Sequence, residues 1–132
     1  MSINQKTMKT KLLLLMLCFF VFGCKKNPFD YRTKYLGNYV FVVHSSSYNP
    51  LDGLIDTTFS INGEIEYGSE KNTILISFGG STGTDFKIYE DGTVDINYCS
   101  GEFETTDKLV YSCYRNESPS AHSSLDVEGE KK

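Results

Sequence analysis

Phe86-Lys87-Ile88-Tyr89-Glu90-Asp91-Gly92-Thr93-Val94-Asp95-Ile96 is the stretch that decides the fold. Apolar and polar side chains alternate on both sides of Asp91-Gly92, the period of a strand with one buried face. A two-residue turn at Asp91-Gly92 would set Ile88 opposite Asp95. A three-residue loop, Glu90–Gly92, instead pairs Ile88 with Val94 and Phe86 with Ile96. It also places Lys87 across from Asp95 and gives Gly92 the left-handed bulge position. The second register is the one the residues favour, and it makes this segment an antiparallel hairpin.

The same alternation, punctuated by turn residues, runs through the chain from Leu36 onward, with no apolar period near 3.6. Strands are predicted near 37–44, 57–61, 64–68, 73–79, 84–90, 93–99, 108–115 and 123–129, with 102–104 continuing 93–99 as one long bent strand. Asn62-Gly63 reads as a turn, in a loop Ile61–Gly63 that would put Phe59 opposite Ile65. A further hairpin pairs Tyr67 with Ile74 and Ile65 with Ile76. Eight strands with short connections predict an all-β fold, an eight-stranded antiparallel meander barrel.

The amino-terminal segment has a different character. Lys6, Lys9 and Lys11 precede an unbroken apolar run, Leu12 to Phe22, which ends at Gly23-Cys24. Eleven apolar residues as a helix span about 16 Å, short of a hydrocarbon core of about 30 Å. Basic start, short apolar stretch, small residue and cysteine resemble a bacterial lipoprotein signal peptide. The resemblance implies a leader over 1–23, removal of that leader, and a lipid on Cys24 that anchors the protein to a membrane. The family's sorting rules point to the outer membrane, because Lys25 stands where an inner-membrane protein would carry aspartate. Cleavage without lipidation would leave the same first residue. Residues 24–35, with Lys25, Lys26, Pro28 and Asp30, read as the lipidated cysteine and a tether, and residues 36–132 as the barrel domain.

Four cysteines then reduce to two, since Cys18 would leave with the leader and Cys24 would take the lipid. A turn centred on Thr106 pairs Phe103 with Leu109, Gly101 with Tyr111, and Cys99 with Cys113. Cross-strand partners in a non-hydrogen-bonded pair lie near disulfide distance, and an oxidising envelope favours the bond. Two buried free thiols are the alternative. One conflict of parity remains in the expected long strand, because Val94 and Ile96 face one way and Cys99 and Phe103 the other. A bulge near Ser100-Gly101 would reconcile them.

Eight meandering strands opening with Gly37-Asn38-Tyr39 resemble the lipocalin-like barrels, whose first strand begins glycine, any residue, tryptophan. Tyrosine replaces the tryptophan here, and the chain contains no tryptophan at all. The layout, from Tyr35-Leu36-Gly37-Asn38-Tyr39 after a lipid cysteine to Val127-Glu128-Gly129 at the end, is also similar to small envelope lipoproteins of Bacteroidota. The resemblance implies a binding domain, with a small apolar or amphipathic ligand at one mouth. Alternation aims Phe59, Ile65, Tyr67, Ile74, Ile76, Phe78, Phe86, Ile88, Val94, Ile96, Phe103, Leu109, Tyr111, Leu125 and Val127 inward. So many bulky side chains predict a mostly filled interior, with any pocket shallow and near a mouth.

Charge and chemistry narrow the function classes. Beyond residue 23 stand all seventeen acids but only ten basic residues, a formal charge of −7. Such a chain repels phosphate backbones and has no basic stripe, so nucleic acid is not an expected partner. His44 and His122 lack close-spaced metal-ligand partners, and no cofactor motif occurs. Ser45-Ser46-Ser47 has no evident base, and alternation puts Glu102 and Glu104 outside. The glycine-rich Gly79–Gly83 opens no helix that would cradle phosphate. Asp56-Thr57-Thr58 matches the short O-glycosylation acceptor pattern of Bacteroidota and equally an ordinary strand start. Catalysis is therefore not expected. The alternative to a small ligand is an envelope partner protein, held by exposed aromatics such as Tyr48, Tyr89 and Tyr114 and by the 79–83 and 116–123 loops.

Overall fold

The computed structural model describes residues 30–132. The leader and Cys24 lie outside the described residues. Eight strands, β1 (Gly37–Asn49), β2 (Gly53–Tyr67), β3 (Thr73–Phe78), β4 (Thr84–Ile88), β5 (Thr93–Ile96), β6 (Cys99–Thr105), β7 (Lys108–Ser118) and β8 (Ala121–Lys131), follow one another. Each pairs antiparallel with the next, and β8 closes on β1, so the meander is a closed, lipocalin-like barrel.

The deciding hairpin has the expected register: Ile88 faces Val94 and Lys87 faces Asp95. Pairing stops there, so Phe86 and Ile96 are not partners. The Tyr89 amide closes the loop on the Thr93 carbonyl at 2.9 Å, and Gly92 sits at φ 91°, open to glycine at little cost. The Asp91 carboxylate accepts the Thr93 amide at 2.9 Å, and its hydrogen bonds to Thr93 hold its pKa below the ordinary value. Tyr67 pairs with Ile74, Ile65 with Ile76, Cys99 with Cys113, and Phe103 with Leu109, all as the residues predict.

Two strand boundaries differ from expectation. Asn62-Gly63 is not a turn, and Phe59 lies opposite Val43, not Ile65. The expected strands 57–61 and 64–68 are one strand, β2, because Gly63 is needed for space. A Cβ there would stand 2.2 Å from the Ser77 carbonyl oxygen and 2.7 Å from the Phe41 ring. The hairpin instead turns at Pro50–Asp52. The Asn49 side-chain oxygen accepts the amides of Leu51 and Asp52, and Gly53 takes φ 75°. Conversely, 93–99 and 102–104 are not one bent strand. The chain turns at Asn97-Tyr98, with Asn97 at φ 44°, and Ile96 pairs with Cys99. That turn, with no bulge at Ser100-Gly101, resolves the parity conflict.

The compact unit runs Tyr31–Lys132. Its first five residues, expected in the tether, form a 3-10 helix that stoppers one end of the barrel. Arg32 is buried there and donates from one guanidinium nitrogen to the carbonyls of Glu70 and Thr73, both at 2.8 Å, with its charge 4.6 Å from the Tyr67 ring centre. Tyr35 stacks on Phe103, and the Tyr31 hydroxyl donates to the Ile88 carbonyl. Above this stopper the interior is packed by Tyr39, Phe41, Ile65, Ile74, Ile76, Ile88, Val94, Leu109 and Val127, all essentially inaccessible. The β1 contribution, Tyr39, Phe41 and Val43, adds to the expected inward set. Of that set, Tyr67, Phe78, Ile96 and Leu125 are half-buried, and Phe59 is 45% exposed.

Candidate binding surface

Turns of an antiparallel meander alternate between the two ends of a barrel. The stoppered end therefore gathers the 3-10 helix, the loops at 68–72, 89–92 and 106–107, and the carboxyl terminus. The other end carries the turns at 50–52, 79–83, 97–98 and 119–120. There the wall is uneven. β1 pairs with β2 up to Asn49 and Gly53, with β8 up to Tyr48 and His122, and β7 pairs with β8 up to Ser118 and Ala121. β3 to β6 stop much lower. A four-stranded wall in the order β2-β1-β8-β7 rises past the mouth.

The composition of this wall differs from the rest of the barrel. Residues 44–60 and 112–126 contain no lysine, one arginine and four carboxylates, with eleven serines and threonines. Large apolar side chains stand exposed at its top: Leu51 at 95%, Leu54 at 65% and Ile55 at 52%. On its outer face Tyr48, His122 and Tyr114 form a row across β1, β8 and β7. The His122 ring centre is 5.5 Å from that of Tyr48 and 6.5 Å from that of Tyr114. Tyrosine, serine and asparagine are the residues that recognition surfaces favour, since rigid rings add contact area at low entropic cost.

Lower on the same outer face, His44 bridges two neighbours on β2. Its Nδ1 lies 2.8 Å from the Thr58 hydroxyl, and its Nε2 lies 3.2 Å from an Asp56 carboxylate oxygen. Nearby on β7 and β8 the Ser112 hydroxyl donates to Asp126 at 2.6 Å. These groups are largely open to solvent. His44 and His122 are not brought together: in the β1–β8 ladder His44 lies opposite Asp126 and His122 opposite Tyr48, four residues further along. Among the described residues no three His, Cys, Asp or Glu side chains converge as a metal site would require.

The remaining expected features fall as follows. Cys99 and Cys113 form a disulfide. Beside it at the mouth is a recess of about 300 Å³, lined in part by Tyr98, Leu125, Ser45 and Arg115. Ser45 to Ser47 are strand residues of β1, and Glu102 and Glu104 are exposed, with Glu104 bound to Lys108 at 2.9 Å. Tyr89 is exposed far from the wall, its hydroxyl 3.3 Å from Asp95. The 116–123 segment is not a loop but the tip of the β7–β8 hairpin. Tyr98, 68% exposed, joins Tyr114 through a hydrogen bond from the Tyr114 amide to the Tyr98 carbonyl. Sequence reasoning missed Tyr98, Leu51, Leu54 and Ile55. Asn-Pro and Asp-Gly around Leu51 were the available signal for a hairpin tip there.

No protein-family model, no curated protein and no solved structure matches this chain.

Proposed function

We propose that this is a lipid-anchored protein of the bacterial cell envelope, held by Cys24 and acting as an interaction module. The observation that carries the reading is the pairing of a filled barrel with an exposed aromatic row. Interior side chains occupy the space a lipocalin would give its ligand, while Tyr48, His122 and Tyr114 face solvent on the wall and Tyr98 does so in the β5–β6 turn beside it. The chain enters the barrel through the 3-10 helix at the stoppered end. The wall stands at the opposite end of the barrel, where another envelope protein could meet it.

A second reading, a small apolar or amphipathic ligand, draws on the mouth recess beside the disulfide. At about 300 Å³ it is at the lower limit for small-molecule sites. One experiment separates the two. The lipidated protein is solubilised in detergent, captured, and its bound proteins and lipids are identified by mass spectrometry. Tyr48→Ala with Tyr114→Ala should abolish retention of a protein partner, and Leu125→Arg should abolish retention of a small ligand. A partner retained equally by the double tyrosine variant overturns the first reading.

A further inference from the structure

β2 has an open edge. It pairs with β1 from Gly53 to Ile65, beyond the barrel rim, but with β3 only over Gly63–Tyr67. Among the described residues no strand lies against its other side from Gly53 to Ile61. Residues 54–60 are all exposed, as a strand open on one edge and standing above the opposite wall must be. The Asn62 carbonyl already accepts the Gly79 amide on that side at 2.8 Å. Because the β1–β2 register is unbroken, the even residues Leu54, Asp56, Thr58 and Ser60 aim their N–H and C=O groups at the open side.

Natural edges are blunted by lysine, proline or a bulge, because a bare edge templates another strand. This one has none of the three between Gly53 and Asn62. The comparable free end of β7 has all but the lysine: Arg115 and Glu117 as charges, a register shift between Asn116 and Ser118, and Pro119 directly after. The contrast between two edges of the same wall singles out β2.

We propose that the β2 edge pairs antiparallel with the β2 edge of a second copy of this chain, about a two-fold axis at Thr57. This goes beyond the functional reading above and does not depend on it. The segment is complementary to itself in this register and in no neighbouring one. Leu54 meets Ser60 and Asp56 meets Thr58 as hydrogen-bonded pairs, each exchanging two main-chain bonds. On the inner face Ile55 meets Phe59 twice, covering side chains that are 52% and 45% exposed in the single chain. A register centred on Asp56 would set two carboxylates opposite each other. One centred on Thr58 would need the Asn62 carbonyl, which is committed to Gly79. Asp56, the single acid in the segment, already has a partner in its own chain, the His44 Nε2 at 3.2 Å. The second copy's Gly53 would reach Ile61, just short of where the β3–β4 turn fills the slot. Such a contact is isologous and closes on itself as a dimer.

The register can be tested by cysteine cross-linking of the full-length protein. Thr57→Cys places two thiols opposite each other in a non-hydrogen-bonded pair, within disulfide reach. Under mild oxidation it should convert most of the chain to a covalent dimer, which the parent chain does not form. Thr58→Cys should cross-link at least tenfold less. Ile55→Lys, at an exposed position, should cut Thr57→Cys cross-linking at least tenfold while leaving the circular dichroism of the barrel unchanged. Absence of the Thr57→Cys dimer overturns the proposal. So does equal cross-linking at both positions, which indicates random collision, or a Thr57→Cys adduct to a different protein, which indicates that the edge takes another partner's strand.

Discussion

Gly129→Ala should destabilise the barrel, although alanine is the better strand residue. An alanine Cβ at 129 would stand 2.6 and 2.8 Å from Cε1 and Cδ1 of Phe41. Ordinary carbon contacts are about 3.5–4.0 Å, so the ring has to move by roughly 1 Å. It has little room to do so. Phe41 is inaccessible to solvent, its other edge faces Gly63, and the rings of Phe78 and Tyr39 lie 4.8 and 5.7 Å away. Overpacking of this kind costs about 1–3 kcal/mol, against about 0.5–1 kcal/mol regained by removing a glycine from a strand. The net loss, taken at the middle of both ranges, should be about 1 kcal/mol, a fall in Tm of roughly 4–8 °C for a domain of this size. Urea unfolding followed by circular dichroism, with an unchanged m-value, would measure it. The diagnostic arm is Phe41→Leu. That substitution is costly by itself, but in its background Gly129→Ala should become neutral or stabilising. A Gly129→Ala protein more stable than the parent, or an equal cost in both backgrounds, would show that the glycine is not there for the ring.

Ile88→Ala, at a fully buried position opposite Val94, should cost about 2–5 kcal/mol, while Asp95→Ala on the exterior should cost well under about 1 kcal/mol; comparable losses in a urea titration would contradict the inward-facing assignment. The Cys99–Cys113 disulfide closes a sequence separation of 14 and should contribute about 3 kcal/mol. Thiol labelling of denatured, unreduced protein should miss both cysteines, and reduction should shift the urea midpoint. Burial, with Asp107 and Tyr35 nearby, pushes the Tyr39 pKa up to about 12 from its usual 10, and burial raises Tyr111 as well. The folded state therefore keeps these protons while the unfolded chain releases them, so stability is level below pH 10 and falls as pH rises from 10 toward 12. Absorbance at 295 nm should show both phenols ionising only as the circular dichroism is lost; ionisation near pH 10 in a folded barrel would mean that water reaches the interior. Cys24→Ser should abolish acylation and release the acidic body from membranes, and a Ser variant still membrane-bound after leader removal would refute the anchor.

The registers that could be read in advance are those whose closing turn carries its own signal. Glu90-Asp91-Gly92 admits one pairing that buries only apolar groups, and the hairpin around Thr106 aligns Cys99 with Cys113 without reference to the rest of the barrel. Asn62-Gly63 was misleading because glycine has two uses. In isolation the pair is the strongest short turn signal. In the barrel, Gly63 is a strand residue kept small by the Phe41 ring and the Ser77 carbonyl, which come from two other strands. The opposite error, merging β5 with β6, arose because a left-handed Asn97 has no glycine to announce it. One strand too many and one too few left the count at eight.

What no local pattern could disclose is height. Val40, Phe41, Val42 and Val43 are all apolar, so alternation does not choose a face for β1; closure against β8 does, burying Phe41 and Val43 and leaving Val42 exposed. Phe59 has the inward parity that alternation assigns it, yet it is exposed, because burial also needs a wall opposite, and β3 to β6 end below it. The candidate surface owes its existence to that mismatch. Long β1–β2 and β7–β8 hairpins in a barrel whose other hairpins are short leave a raised sheet, with its aromatic row on one face and an unblunted β2 edge at one side. Strand lengths are set by where each turn falls, and the consequence of unequal lengths appears only when the barrel closes. Alternation within a strand thus identifies the core, whereas the binding surface is a property of how unequal strands are assembled.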